Sequence, residues 1–203
     1  AAVERLAALA TSEQVDAVVV AGDVFDAQTV SARSIRRLFN AIEGYGGPWI
    51  MIPGNHDAAL AESVWTHAAR LGALPSNVHL ALEPRVIELP EPRIAFLCAP
   101  LTQRHTYGDL TEWFDGAPTP PGWLRIGVAH GAVQGVLAED IDSANPIAPD
   151  RAERARLDDE RSPGPAARLL HPEHRGSGMF GISTARRAAR CGDGRWVRAG
   201  GQA

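Results

Sequence analysis

The sequence contains no lysine and only two cysteines, and it has no long apolar run. All 20 basic residues are arginine, a bias that we attribute to a GC-rich genome rather than to function. Cys98 and Cys191 lie in unrelated contexts, so we predict no disulfide, no zinc knuckle, and a buried thiol at Cys98. No apolar run approaches the roughly 20 residues of a membrane-spanning helix. Residues 1–10 have helical spacing and lack the pattern of a secretory signal, so we expect a cytoplasmic protein.

Charge is distributed unevenly along the chain. Residues 1–160 carry 12 arginines and 22 acidic residues, a net charge of −10, whereas residues 161–203 carry 8 arginines and 2 acidic residues, a net charge of +6. Only seven of these last 43 residues are Val, Ile, Leu, Met, Phe, Trp or Tyr, so this segment can bury little apolar surface. We therefore predict a folded domain at residues 1–158 and, at residues 159–203, an Arg/Gly/Pro-rich tail that is poorly ordered.

The first part of the chain has the periodicity of a strand, helix, strand unit. Apolar residues at helical spacing predict helices at residues 2–13 and 30–43, and continuous apolar runs predict strands at residues 15–21 and 49–52. A crossover of this kind is right-handed and makes its two strands parallel. The residues that follow the two strands are therefore expected at one edge of a sheet.

The second part of the chain favours shorter strands. A helix is expected at residues 59–72, and the segments VHLAL, RVIEL and RIAFLCAPL then predict three strands that resemble a meander. Residues 101–122 contain several prolines and are expected to be irregular, before the segment WLRIGVAHG forms another apolar strand. The predicted fold class is α/β with mixed sheets.

Three of these strands end in polar residues that can bind metal. AGDVFD ends the first strand at residues 21–26, PGNHD follows the second at residues 53–57, and AHG ends the last at residues 129–131. In open α/β sheets, ligands bind outside the carboxyl ends of the strands. The carboxylate of Asp23 can bridge two divalent ions, and Asn55 and His130 add oxygen and imidazole donors suited to manganese, iron or zinc.

The same turns contain a candidate catalytic residue. Two ions about 3.5 to 4 Å apart can clamp a phosphate ester and activate water. His56 could then protonate or stabilise the leaving oxygen, with Asp57 orienting its ring. Each residue also has a structural interpretation: Asp23 and Asp26 as caps of the following helix or turn, Asn55 as a turn residue, and His130 as a structural histidine. The combination of three strand ends favours the metal interpretation.

GDVFD, PGNHD and AHG resemble consecutive motifs of the calcineurin-like metallophosphoesterase family, over about residues 2–158. That resemblance implies a four-layer α-β-β-α sandwich with mixed sheets, here partial. It also implies that Asp23 bridges two metals, that Asn55 and His130 bind the second metal, and that His56 is catalytic. Asp26 and Asp57 would support the ligands without contacting the metal. Within the family, the Phe of GDVFD, the APL of FLCAPL and residues 102–113 resemble SbcD-type DNA repair exonucleases.

The sequence also departs from the family pattern at both ends of the site. The DxH motif that supplies the first metal's ligands is not found before Ala1, so we expect an N-terminally truncated domain. The last motif, GHxH or a close variant, is expected after an apolar strand beyond Leu157, and that strand is not recognisable. The change in composition suggests a reading frame altered near residue 158. His171 and His174 in LLHPEHRG could substitute, but they lack the flanking apolar strand and glycine. We therefore expect one metal ion or none in this chain, and an activity impaired by the missing ligands.

Two classes of function are compatible with these features. The first is a two-metal phosphoesterase, expected to use Mn²⁺ and to hydrolyse DNA as a repair exonuclease, with an SMC-like ATPase subunit as the partner implied by the resemblance. The second is a non-catalytic remnant whose basic tail binds nucleic acid. A variant of the first keeps the fold but acts on small phosphoesters or phosphoproteins.

Overall fold

The computed structural model describes residues 2–134 and 144–148, together with the strands at residues 168–170 and 197–198. Its helices are α1 Ala2–Ser12, α2 Ala32–Ile42 and α3 Val64–Arg70, with a 3₁₀ turn at Glu112–Phe114. Its strands are β1 Ala17–Ala21, β2 Trp49–Ile52, β3 Val78–Leu80, β4 Arg85–Leu89, β5 Ile94–Ala99, β6 Leu124–Ala129, β7 Ala132–Val133, β8 Pro146–Ile147, β9 Arg168–Leu170 and β10 Val197–Arg198.

The first sheet has the strand order β10-β9-β1-β2-β3. β1 and β2 are parallel, with Val18 opposite Trp49 and Ala21 opposite Ile52, and α2 connects them. The predicted strand, helix, strand unit is therefore confirmed. Three consecutive valines favour the extended conformation of β1 because β-branched side chains pack well on a pleated surface.

The second sheet has the order β4-β5-β6, with an antiparallel β4/β5 pair and a parallel β5/β6 pair. The predicted meander is correct only for β4 and β5. β3 instead extends the first sheet, parallel to β2, with His79 opposite Ile50. The reason is the connection: α3 lies between β2 and β3, so the chain crosses over and returns in the same direction.

The two sheets pack face to face and enclose the central hydrophobic core. Alternate residues of β1, Ala17, Val19 and Ala21, point into this layer because successive side chains of a strand face opposite sides. The other sheet contributes a matching apolar surface. Its buried residues are Ile87, Leu89, Ile94, Phe96, Cys98, Ile126 and Val128.

The outer faces of both sheets are also covered. The helices lie on the first sheet, where Ile35, Phe39 and Ile42 of α2 pack against Val18 and Trp49. On the second sheet, a smaller cluster contains Leu97, Ala99, Phe114, Ala117, Ala129, Val133 and Ile147. Within residues 2–134 and 144–148, the 3₁₀ turn and loops cover this face without an α-helix. The mixed α/β sandwich is confirmed, in partial form.

α3 is shorter than the helix predicted at residues 59–72. It begins after Ser63, whose hydroxyl accepts a hydrogen bond from the amide of Thr66, while the Thr66 hydroxyl accepts one from the Ser63 amide. This capping box defines the start of the helix. The amide of Ala59 donates to the carbonyl of Leu101 instead, which holds the preceding residues in a loop.

The buried thiol predicted at Cys98 is confirmed. Burial raises the pKa of Cys98 to about 12, so the thiol is protonated at neutral pH. Cys191 lies outside the described residues, as does most of the predicted tail. No helix in the described part of the chain has the length and apolar character needed to cross a membrane.

Candidate metal centre

The three polar motifs meet at one edge of the sandwich. Asp23 follows β1, Asn55 follows β2, and His130 follows β6 directly. β1 and β2 are parallel, so their carboxyl ends lie at the same edge, and packing of the two sheets brings the end of β6 to this edge. The side chains of Asp23 and His130 are each only 4% exposed.

His130 is the centre of the cluster. Its Nδ1 atom lies 2.9 Å from the carbonyl oxygen of Ala21, in β1. Its Nε2 atom lies 2.9 Å from Oδ1 of Asn55 and 3.5 Å from Oδ2 of Asp23. The imidazole therefore connects the ends of three strands.

The hydrogen bond to the carbonyl of Ala21 determines which nitrogen of the neutral His130 ring carries the proton. A carbonyl oxygen only accepts hydrogen bonds, so Nδ1 of His130 carries the proton that it donates. In the neutral ring, Nε2 then presents a lone pair to the oxygens of Asn55 and Asp23. Three electron-pair donors so close together are stabilised by a cation, and the mixed carboxylate, amide and imidazole set suits manganese, iron or zinc. These three residues could hold one divalent ion.

Two glycines allow the loops to approach this closely. A Cβ atom on Gly22, which has φ +92°, would lie 2.4 Å from Nδ1 of His130. A Cβ atom on Gly54 would lie 2.3 Å from Oδ1 of Asp23 and 2.5 Å from its backbone nitrogen. Asp23 itself has φ +52°, a conformation that non-glycine residues rarely adopt outside turns and functional sites.

Asp57 ties the first two loops together. Its buried carboxylate accepts hydrogen bonds from the amides of Gly54 at 2.6 Å, Val24 at 2.9 Å and Phe25 at 3.2 Å. Burial raises the pKa of Asp57, the three amides lower it, and the nearby charge of Asp23 raises it further, so the net shift is upward. The Asp57 carboxylate therefore binds backbone amides. The sequence had instead led us to expect that it orients the ring of His56.

His56 lies at the exposed side of the cluster. Its amide donates to Oδ1 of Asp23 at 3.1 Å, and its Nδ1 atom lies 3.2 Å from the carbonyl oxygen of Asp26. The backbone of Asp26 therefore orients the ring, while the Asp26 side chain is exposed. Because Nδ1 donates to this carbonyl, Nε2 of His56 is the atom that can exchange a proton with a bound molecule.

A model of the calcineurin-like phosphoesterase family matches residues 1–178. The chain belongs to this family. Calcineurin-like phosphoesterases hydrolyse phosphoesters and generally bind divalent metals, in agreement with the donor set at the sheet edge. A search of curated proteins found no match.

Two residues of this calcineurin-like phosphoesterase that sequence reasoning missed organise the surroundings of the centre. The amide of Gln28 donates to the carbonyl of Ala58 at 2.9 Å, and its oxygen accepts from Val64 at the start of α3. Asn145 is buried, with φ +62°, and it links two distant loops through its side chain and backbone. An asparagine before a proline, as in Asn145-Pro146, is a turn signal that could have indicated this position.

The ligands of a first metal are the least defined part of the calcineurin-like centre. Within residues 2–134 and 144–148, no three His, Cys, Asp or Glu side chains come together as a metal-binding group. His171 and His174 lie outside the described residues. The expectation that no strand precedes them was wrong: β9 pairs in parallel with β1, with Leu170 opposite Val18. β9 therefore runs toward the edge that carries Asp23.

Proposed function

We propose that this protein is a metal-dependent phosphodiesterase that hydrolyses DNA, as an exonuclease of break repair. The observation that carries this proposal is the convergence of Asp23, Asn55 and His130 on one point, with His56 beside them. A bound divalent ion would neutralise charge on the phosphate and lower the pKa of the attacking water. We further propose Mn²⁺ as the metal and an SMC-like ATPase subunit as the partner.

The chain's own residues have separate tasks in this proposal. Asp23, Asn55 and His130 hold the ion, and the Ala21 carbonyl fixes the tautomer of His130 that leaves Nε2 available. His56 holds a proton at Nε2 and delivers it to the leaving oxygen of the phosphodiester. Its ring orientation comes from the carbonyl of Asp26. Asp57 keeps the two loops at a fixed separation.

DNA as the substrate is supported by sequence segments that resemble the SbcD-type exonucleases. Phe25 of GDVFD is buried and packs edge-on against Trp65, with ring centroids 5.5 Å apart, so it fixes the Asp23 loop onto α3. Residues 102–110 form an exposed loop that follows β5. The carboxyl end of β5 lies beside that of β6, because the two strands are parallel. Both segments therefore border the proposed catalytic centre.

The experiment that tests this function compares three substrates in the presence of Mn²⁺. End-labelled single- and double-stranded DNA reports nuclease activity and polarity, bis(p-nitrophenyl) phosphate reports diesterase activity, and p-nitrophenyl phosphate reports monoesterase activity. We expect hydrolysis of DNA and of the diester. Hydrolysis of the monoester alone would reject the nuclease function.

His56→Ala provides the test of the proton donor. We expect kcat for DNA to fall by about 100-fold or more, because a positioned acid contributes roughly 10² to 10⁴ in rate. His67→Ala, a substitution of a histidine in α3, serves as the matched control. Equal kcat values for the wild type and His56→Ala would contradict the role of His56.

A further inference from the structure

Resting on the function proposed above, we propose that Tyr107 is a stacking platform for a base of single-stranded DNA that enters the metal centre. Tyr107 is 93% exposed and is the one large apolar side chain that is exposed among residues 2–134 and 144–148. Single-stranded nucleic acids are held by aromatic rings on which bases stack, beside cationic groups that meet the backbone. The loop at residues 102–110, which we call the Tyr107 loop, has both features.

The Tyr107 loop is anchored, so the exposed ring is presented from a fixed backbone. Oδ1 of Asn145 accepts hydrogen bonds from the amide of Thr106 at 2.8 Å and from its hydroxyl at 3.1 Å. The Asn145 amide group donates to the carbonyl of Arg104, and the Asn145 backbone nitrogen donates to the carbonyl of Thr106. These four bonds hold the residues immediately before Tyr107. A held backbone reduces the entropy lost when a base stacks on the ring.

The end of the Tyr107 loop is held as well. Oδ1 of Asp109 accepts from the amide and the hydroxyl of Thr111, and Oδ2 accepts from the amide of Ala148 at 3.0 Å. Tyr107 therefore lies between two anchored points. The residues on both sides of it make hydrogen bonds within the protein, whereas the Tyr107 side chain is exposed to solvent.

The same anchors connect the Tyr107 loop to the metal centre. Leu101, which precedes the loop, donates to the carbonyl of Pro53 and accepts from the amide of Ala59, on either side of Asn55 and His56. On the opposite side, the carbonyl of Asn145 accepts from the amide of Ala132, two residues after His130. The loop is therefore joined, through Leu101 and Asn145, to the turns that carry Asn55 and His130.

Charge on the Tyr107 loop favours an anionic occupant. Arg104 and His105 are exposed, and residues 102–108 contain no acidic residue. The one acidic residue of the loop, Asp109, is engaged by Thr111 and Ala148. This local charge contrasts with the net charge of −10 over residues 1–160. A strand whose backbone meets Arg104 could place a base on Tyr107 while its phosphate continues to the metal centre.

Binding of a single-stranded oligonucleotide that carries 2-aminopurine near its end tests this inference. The full 203-residue chain is used, in EDTA, so that the DNA is not cleaved during the measurement. We expect Tyr107→Ala to raise Kd by about tenfold, within the roughly 5- to 150-fold range of losing one stacked base, and to abolish the quenching of 2-aminopurine. Tyr107→Phe keeps the ring and should bind within about twofold of the wild type. Equal thermal midpoints establish that the variants are folded.

The outcomes separate this inference from the function on which it rests. If the wild type binds and cleaves DNA and Tyr107→Ala behaves identically, Tyr107 is not a stacking platform, although the nuclease function stands. If the wild type neither binds DNA nor cleaves it in Mn²⁺, but hydrolyses bis(p-nitrophenyl) phosphate, both the nuclease function and the stacking role are rejected. A loss of self-association in Tyr107→Ala with unchanged DNA binding would assign the ring to a protein interface and overturn the proposal.

Discussion

Nε2 of His130 lies 2.9 Å from Oδ1 of Asn55, although 75 positions of sequence separate the two residues. The contact joins the carboxyl ends of β6 and β2, which belong to different sheets. In the neutral ring protonated at Nδ1, this contact places the Nε2 lone pair beside the Asn55 oxygen, with the Asp23 carboxylate close by. Such an arrangement is stabilised when a cation occupies the space between the donors.

Asp23→Asn should weaken this cation site while preserving the shape of the side chain. Bound Mn²⁺ stabilises the folded state according to its concentration relative to Kd. We expect the rise in thermal midpoint on addition of Mn²⁺ to be clearly smaller for Asp23→Asn than for the wild type. Asp26→Asn is the matched control, because His56 contacts the backbone carbonyl of Asp26 and that side chain is exposed. Identical midpoint shifts for all three proteins would argue against Asp23 as a ligand.

Gly54→Ala should disrupt the junction of the first two loops. The added Cβ atom would lie 2.5 Å from the backbone nitrogen of Asp23, so main chain has to move. Overpacking of this kind costs about 1–3 kcal/mol, and we expect a loss of that size in the free energy of unfolding by urea. Gly46→Ala is the control, since a Cβ atom there meets nothing within 4 Å. The account of the junction fails if the two variants have equal stability.

Asp57→Asn should destabilise the protein at neutral pH. An amide NH₂ replaces one of two oxygens that accept backbone N–H groups, so at least one buried donor loses its partner. Leaving a buried donor unpaired costs about 1–3 kcal/mol. Urea unfolding at pH 7 measures the difference. Unchanged stability would show that the three amides do not depend on the carboxylate.

The difference in stability between the wild type and Asp57→Asn should depend on pH. Burial raises the pKa of Asp57 above its ordinary value of 3.8, so the folded state holds this proton more tightly than the unfolded chain. The stability that this proton adds to the folded state is fully present below pH 3.8. It is lost as pH rises through the higher pKa that Asp57 has in the folded state. The stability of the wild type relative to Asp57→Asn should therefore decline as pH rises through this window. If the relative stability of the wild type increases with pH instead, folding lowers the pKa of Asp57 and this prediction is wrong.

Asn145→Ala should release the Tyr107 loop. The substitution removes three side-chain hydrogen bonds to Arg104 and Thr106. Trypsin cleaves only after arginine in this lysine-free chain, so we expect faster cleavage after Arg104 in the variant. Cleavage after Arg70, in α3, provides the internal control. A parallel increase at both sites would indicate global destabilisation and contradict a local anchor.

The first half of the fold was predictable because its signals are local. The valine run of β1, the helical spacing of α2 and the apolar run of β2 each identify an element, and the handedness of crossovers then makes the strands parallel. The position of β3 was not predictable from the pattern VHLAL, which is compatible with either sheet. Its pairing depends on α3, whose predicted length was also too great.

Only the candidate ligands of this centre could be proposed from the sequence. Asp23, Asn55 and His130 are recognisable because polar residues that follow apolar runs lie at strand ends. The partners of Asp57 are backbone amides of another loop, and amides carry no sequence signal. Asn145 acts through contacts 39 and 41 residues away, so only the folded chain reveals its role.

The most direct test of the metal centre is the number of Mn²⁺ ions that the 203-residue chain binds, measured by equilibrium dialysis and elemental analysis for the wild type and His130→Gln. The account predicts one ion per wild-type chain and a large loss of that ion in the folded variant. Two ions in the wild type, or one ion retained by His130→Gln, would contradict it.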